Sequence, residues 1–576
     1  MVKSLLKVIG KFILFNLKII YVTVLFLIIL FSCVSVIKKD TSKNINTNYN
    51  YVIISTKNIT DDKYDNTPFF DDKSQSFKDF ENKLEKVRLN KNVKAIILNL
   101  NDINLSSSQI EELSKILIKF PNSNKKIYAY GDNINNSSYK LASYADEIIM
   151  PNTLSARLSL NGYYHNSLYF KDLLDRFGIK VEALHVGSHK SYGEQYYLNK
   201  MSNELKENNT RLLENRFQKF VELISKNRSI DKSTIMNNII SGKYDSISAY
   251  TAKDLGLIDN ILDFDDLLDN LSANDLNTVN INDIEIKEQL DNSPVIAIVP
   301  LEGPISSGAT SVKFSISELS VREKLSKIEN NKKVKAVILR INSPGGEALE
   351  AEKIYKLIKR FTKKTNIPVY ASLSDVAASG GYYIATSASK IYANNATLTG
   401  SIGVVSLIPK FDKTLEKFSV NKDVIEKGKF TGIYDPTYSL TNEDRDHIID
   451  SLNDVYIEFK HRVSQARNIT DEKLEPIAGG RVWLGDEAKN IGLVDDIASL
   501  NEVIDIVAKD VNIKNYNVIQ ITSKLDFNNY LDKLKSSIIG PQNIKIYDEV
   551  YKKLIFINEN SYKALFFNDG LNNIKY

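Results

Sequence analysis

The stretch from Asp375 to Tyr383 (Asp-Val-Ala-Ala-Ser-Gly-Gly-Tyr-Tyr) is the part of this 576-residue chain best suited to chemistry. The apolar run Ile367–Leu373 before it reads as a buried strand, and Tyr382–Ala385 after it reads as the start of a helix. Ser379 then lies between small residues at a strand-to-helix turn, its hydroxyl at the positive end of a helix. A substrate backbone can come close to such a turn. The seat suits a nucleophile, and it suits equally a serine that caps a tight turn.

Two further turns bear on that choice. The strand-like run Lys335–Ile341 leads into Asn342-Ser343-Pro344-Gly345-Gly346, where a glycine pair can present backbone N–H groups to an anion. Downstream, Leu398-Thr399-Gly400-Ser401-Ile402-Gly403 is another turn of small residues. Each alone reads as an ordinary glycine turn. Three in order, each ending a strand-like run, form a constellation.

These three turns resemble those of the signal peptide peptidase A (protease IV) family in its long form, peptidase family S49, and the resemblance runs from about residue 50 onward. It implies a serine peptidase on a ClpP/crotonase-like α/β fold, with Ser379 as nucleophile. It implies an oxyanion hole from the N–H groups of Gly346 and Gly380, with Gly345 shaping the turn. Ser401 would orient the base.

A serine hydroxyl is a poor nucleophile until something takes its proton. The chain has 5 His (His165, His185, His189, His447 and His461), and none lies between Ser379 and His447. A Ser-His-Asp triad is disfavoured on that ground, though not excluded. In the resembled family the base is a lysine, which serves if burial keeps its amine neutral. With 75 Lys and Arg, composition cannot choose one. The segment Val186-Gly187-Ser188-His189-Lys190-Ser191-Tyr192-Gly193-Glu194 resembles the family's base motif and maps the base onto Lys190. It departs from that motif at His189, where tyrosine is usual, and at Tyr192, where a small residue is usual. Any lysine is by default a solvated surface residue.

The elements that must position these groups occur twice. The chain compares with itself at a shift of roughly 240 residues. Val93–Leu98 echoes Val334–Leu339, Tyr139–Ile148 echoes Tyr382–Ile391, and Ala252–Asp259 echoes Ala488–Asp495. Opposite Ser379 the first copy has Asn136; opposite Lys190 the second has Thr431. Serine and lysine thus come from different copies, which implies a site at their junction. Both copies alternate β-branched runs with amphipathic helices, such as Ile354, Leu357, Ile358 and Phe361 on one helix face, which predicts parallel α/β units.

The expected layout is an N-terminus over 1–18, an anchor over 19–37 and a lysine-bearing repeat over 45–263. A connector over 264–292 follows, with a short helix at Phe264–Leu268, then a serine-bearing repeat over 293–511 and an extension over 512–576. Ile19–Ile37 is a 19-residue run without charge, which as a helix covers about 28 Å, enough to cross a bilayer core. Lys3, Lys7, Lys11 and Lys18 precede it and Lys38, Lys39 and Lys43 follow. That slight bias favours a cytoplasmic N-terminus and an extracytoplasmic bulk at the bacterial inner membrane. The rival is a lipoprotein signal ending at Cys33, with Phe31 bulky for such a box.

Cys33 is the only cysteine, so intramolecular disulfides and cysteine-based metal sites are excluded. No cofactor or metal is expected. A formal charge of +4, with mixed signs and no interleaved aromatic and basic residues, does not suggest nucleic-acid binding. There is no phosphate-binding P-loop, so ATP-driven unfolding is not encoded here. The resemblance implies hydrophobic remnant signal peptides as substrates and a homotetramer. Two other classes stay open: a crotonase-type acyl-CoA enzyme, which needs no Ser379, and a catalytically silent membrane scaffold.

Overall fold

The computed structural model describes residues 49–56, 59–61, 75–271, 277–284, 292–307 and 315–521, and the backbone of 565–566. The expected anchor at 19–37, the N-terminus before it and Cys33 lie outside the described residues. Among the described residues, no helix is long and apolar enough to cross a membrane.

The first half builds a parallel sheet from β1 (Tyr51–Ile54), β2 (Ala95–Asn99), β3 (Lys126–Tyr130) and β4 (Glu147–Met150). The strand β5 (Lys180–Val186) lies outside that sheet, whereas β6 (Asn260–Ile261) and β7 (Thr278–Asn280) complete it in the order β6-β4-β3-β2-β1-β7. Alternating side chains supply both faces, as a sheet covered on two sides requires. Val52, Ile54, Ile96 and Leu98 pack under α1 (Phe77–Leu89) and α2 (Ser107–Leu117). Helix α3 (Asn203–Arg228) adds Phe220, Val221 and Ile224 to the same core. Tyr51, Ala95 and Ile97 pack under α4 (Phe264–Leu271) through Leu267.

The segment 264–292, read as a connector with a short helix, carries α4 and β7 among its described residues. Its helix runs to Leu271 and covers a sheet face, and β7 pairs with Tyr51–Ile53 at the sheet edge. The elements are too short to print an apolar period among so many Asn and Asp residues, and tertiary packing decides them.

The second half repeats the plan. Its strands are β8 (Val295–Glu302), β9 (Val334–Ser343), β10 (Gly346–Glu347), β11 (Val369–Ala378), β12 (Ile391–Ala393), β13 (Leu398–Gly400), β14 (Val404–Lys410), β15 (Val482–Leu484), β16 (Asp496–Ile497) and β17 (Asn517–Gln520). The order β16-β12-β11-β9-β8-β17, all parallel, matches the first sheet strand for strand. Helix α5 (Ala348–Thr365) buries Ile354, Ile358 and Phe361 on one face of this sheet. Two departures build the site. β11 continues to Ala378, beyond the expected end at Leu373, because β13 pairs with its last residues, Val376–Ala378. The next helix, α6 (Gly380–Ala385), starts at Gly380 rather than Tyr382.

Among the contacts that join the halves in the described residues, three stand out. β5 of the first half pairs antiparallel with β14 of the second over seven positions, from Lys180↔Lys410 to Val186↔Val404. Arg445 of α7 (Asn442–Arg467) grips Glu182 of this ribbon from below, at 2.7 and 3.1 Å. Leu212 of α3 packs with Leu398, Val482 and Leu484. The third junction is ionic. Arg340 on β9, fully buried, contacts Glu112 at 2.9 and 3.1 Å and Asp61 at 3.3 Å, both in the first half. Asn394 and Ser374 complete the acceptors' bonds to Glu112 and Asp61 at 2.6 Å each. Finally β18 (Leu565–Phe566) pairs antiparallel with β10 on one side and β14 on the other.

Removing one member of a buried ion cluster strands the others' charge, at about 3–5 kcal/mol. Arg340→Met is expected to destabilise the protein by about that much in chemical denaturation and to loosen the halves together. Beside this cluster burial pushes the Glu81 carboxyl up to about 8. A carboxyl raised in the fold stabilises most fully below its unfolded value, and that contribution is lost as pH rises through 8. Glu81→Gln is expected to flatten the decline in urea midpoint between pH 5 and 9.

Candidate active site

Ser379 follows the last residue of β11 in a conformation rare for serine, with φ 54° and ψ −119°. Such a backbone costs about 1–3 kcal/mol unless its surroundings fix it. Here the Ser379 N–H donates to Gly400 O at 2.8 Å, and Tyr383 N–H donates to Ser379 O at 2.8 Å. The strain turns the hydroxyl away from the sheet and out of a capping position: no side-chain cap bond forms on α6.

The two glycine turns stack on one another. A Cβ on Gly380 would stand 3.3 Å from Gly346 N and 3.4 Å from the Gly345 Cα. Gly345 and Gly346 have φ 109° and 153°, and a Cβ on Gly346 would stand 2.0 Å from Ile305 O. Only glycine fits that approach. The backbones of both turns thus meet beside Ser379.

Lys190 arrives from the other half. The β5–β14 register ends at Val186↔Val404, four residues before Lys190 and three after Ser401. Its side chain is 2 % exposed. Nζ lies 2.8 Å from Ser379 Oγ, 3.1 Å from Ser401 Oγ and 3.2 Å from Ser401 O. Burial alone holds the amine well below the usual lysine range, with no carboxylate to oppose it. As a neutral amine, two N–H groups can go to Ser401 while the lone pair faces the Ser379 hydroxyl. Ser401 is itself held at φ 53°, its N–H donating to Arg481 O at 2.7 Å.

The structure therefore brings Ser379, Lys190, Ser401, Gly345, Gly346 and Gly380 into one place. Histidines are engaged elsewhere: His189 with Arg481 at 2.7 Å, His447 stacked on Phe430, His165 with Ser167 at 3.3 Å. A cavity of about 380 Å³ opens beside β10 and β14, with Ala348, Tyr383, Ile408 and Leu452 among its walls and Glu347 at its edge. Sequence reasoning missed two features. One is the Arg340 cluster. The other is the turn Ala478–Val482, which touches both the Lys190 and Ser401 segments; its signal in the sequence was the glycine pair Gly479-Gly480.

Known proteins resemble this chain in both halves. The profile of "Peptidase family S49" matches residues 119–278 and 361–514, one segment in each half. "Protease 4" of Haemophilus influenzae is 31% identical over 441 residues, covering 73% of this chain and 70% of that protein. "Protease 4" of Salmonella typhi is 29% identical over 455 residues, covering 76% and 73%. A "Putative signal peptide peptidase SppA" of Enterococcus faecium is 30% identical over 243 residues, covering 42% of this chain and 70% of its own. The chain belongs to peptidase family S49 and is a serine peptidase.

A buried lysine without a counter-ion is a stability cost, since its desolvation is uncompensated. Its folded pKa is depressed, so the group destabilises increasingly as pH falls through its unfolded value. Lys190→Met keeps volume and removes that cost. The variant is expected to unfold at an equal or higher temperature than wild type, with the difference widening toward acid pH, while hydrolysing no peptide.

Proposed function

We propose that this serine peptidase works through a Ser379/Lys190 dyad at the junction of two ClpP/crotonase-like repeats. The observation that carries the reading is the 2.8 Å approach of a buried, uncompensated lysine amine to the hydroxyl of a strained serine. Neutral Lys190 takes the Ser379 proton as Oγ attacks the scissile carbonyl. The N–H groups of Gly346 and Gly380 stabilise the oxyanion, and Ser401 holds the lysine in line. Lys190 then protonates the leaving amine as the C–N bond breaks and leaves an acyl-enzyme ester. A water that gives one proton to Lys190 attacks the ester, and Lys190 passes that proton to Ser379 Oγ as the C–O bond breaks and the acid leaves.

The substrate class follows from the edges of the site. β10 and β14 flank a slot in which an extended segment can add as a strand. The chain's own residues 565–566 pair there on both sides, in support of a peptide ligand. The neighbouring cavity mixes apolar walls, among them Leu349, Ile408, Ile448 and Leu452, with the acids Glu347, Glu350, Glu352 and Glu458, so it can take a hydrophobic side chain beside a polar or basic one. With the uncharged run at 19–37 as a membrane anchor, the reading extends to short hydrophobic peptides left in the bacterial inner membrane, among them cleaved signal peptides. The catalytic region would lie on the extracytoplasmic side, in a homotetramer.

The test is hydrolysis of a hydrophobic signal-peptide substrate by detergent-purified protein. Ser379→Ala and Lys190→Arg are each expected to lose at least about 1,000-fold in kcat, since a guanidinium stays protonated. The kcat/KM of wild type is expected to rise with pH on a single acid limb, as Lys190 loses its proton. An active Lys190→Arg enzyme assigns the base elsewhere. Wild type inactive on every such peptide overturns the substrate reading.

A further inference from the structure

The β5–β14 ribbon brings Lys190 and Ser401 to the same end of the molecule, but it stops before reaching either. Past Val186 and Val404 the two chains no longer pair. What stands between them is the turn Ala478–Val482. His189 N–H donates to Gly479 O at 2.7 Å, on the base side. Gly480 N–H donates to Ile402 O at 2.8 Å and Ser401 N–H to Arg481 O at 2.7 Å, on the serine side. Tyr456 Oη accepts from Gly479 N–H at 3.2 Å and fixes the turn to α7.

The spacing is one backbone thick. A Cβ on Gly480, at φ 87°, would stand 2.5, 2.6 and 2.7 Å from N, Cα and Cβ of Lys190. A Cβ on Gly187 would stand 2.7 Å from the Gly479 carbonyl carbon, and one on Gly403 would stand 3.0 Å from Gly480 N. Three segments thus meet through glycine with no side chain between them. Outside this contact, Arg481 Nη2 lies 2.7 Å from His189 Nε2 and 3.4 Å from Glu207. Arg481 therefore latches the residue next to Lys190 to the turn.

We propose that Gly480 and Arg481 are positioning residues. Their turn is the spacer that sets the distance from the Lys190 amine to Ser379 and keeps that amine dry. This rests on the Ser379/Lys190 reading above and extends it to residues that touch neither substrate nor reacting atoms. Any side chain at 480 would push the Lys190 backbone outward, lengthen the 2.8 Å contact and admit water to the amine.

The turn provides its own control. Gly479 also has positive φ, 63°, yet a Cβ there would meet nothing closer than Ser188 Oγ at 3.6 Å. Both substitutions place alanine at positive φ, and only the second also drives a Cβ into the Lys190 backbone and displaces the base. Full-length wild type and both variants are compared in detergent by three measurements: thermal unfolding, kcat and KM on a hydrophobic peptide across pH, and trace acetylation of Lys190. The acetylation, by acetic anhydride with mass-spectrometric readout, follows the amine's protonation without need of catalysis.

Gly480→Ala is expected to unfold at a lower temperature than Gly479→Ala, because only its Cβ meets backbone within 3 Å. Gly480→Ala is expected to lose about 100-fold in kcat with KM little changed, the scale of an ångström of misplacement. Its acid limb and its Lys190 acetylation midpoint should move together to higher pH. Gly479→Ala should keep kcat within a few-fold and leave both midpoints in place. Equal losses with unmoved midpoints make the turn merely structural and overturn the proposal. If wild type cleaves no peptide, the dyad reading falls, and the acetylation midpoint alone still decides whether the turn keeps the amine dry. Should Gly480→Ala fail to fold, Arg481→Gln tests the latch from the partly exposed side: a raised midpoint with reduced kcat supports the proposal, and neither change overturns it.

Discussion

A lysine can accept a proton from serine only if it holds none of its own to spare, and in water near neutral pH it always does. The whole arrangement follows from the need to keep one amine dry. Lys190 is buried, its partners are two serines and a carbonyl, and burial is the sole cause of its shift. A carboxylate near Nζ would restore the proton and remove the base. The buried acids of the junction, Asp61, Glu81 and Glu112, are gathered instead around Arg340. Segregating the acids from the amine gives the junction two separate electrostatic regions.

A dry seat for a charged side chain is hard to build within one layered α/β unit, whose helices already cover both sheet faces. The loops beyond the strand ends face solvent. Two copies packed together make those loops into an interior. The lysine is delivered by β5, which lies outside the first half's sheet and pairs with β14 of the other half. Ser379, the proposed nucleophile, follows the end of β11 and is held by the turn after β13 that also supplies Ser401. Neither half contains a complete site. The junction that holds them together is the same surface that desolvates Lys190, so stability at the interface and the lowered pKa of that amine have one origin.

Much of this was legible in the chain, and the parts that were not share a cause. The Ser379 turn was readable because small residues after an apolar run have a local meaning, and the repeat because strand order is a pattern of the sequence with itself. The end of β11 was misplaced because Asp375–Ala378 looks like a turn until Leu398–Gly400 pairs with it. The full length of α4 and the strand β7 were not legible because both owe their form to the sheet face and edge they cover. Lys190 could be chosen only by resemblance, since nothing local distinguishes it from other lysines; its burial depends on a ribbon register between residues more than 200 apart. Arg340 sits in a strand whose apolar neighbours conceal that one position faces another domain's acids.

Strain and glycine at the centre have the same origin. Ser379 and Ser401 both hold positive φ, and Gly187, Gly345, Gly346 and Gly480 hold it beside them. The proposed mechanism requires a nucleophile, a base, an orienting hydroxyl and two N–H donors to converge within hydrogen-bond reach of one reacting carbon. Ordinary strands and helices keep backbones about 5–10 Å apart. Closer approach requires turns without side chains, and the residues carrying function between them must accept the dihedrals those turns impose. The cost is bearable because each strained serine is fixed by a backbone bond to a neighbouring turn, Ser379 to Gly400 and Ser401 to Arg481. The second of those bonds comes from a segment of chain with no reacting group at all. A site assembled from two halves needs a third element to hold their separation, and its only sequence signature is a pair of glycines.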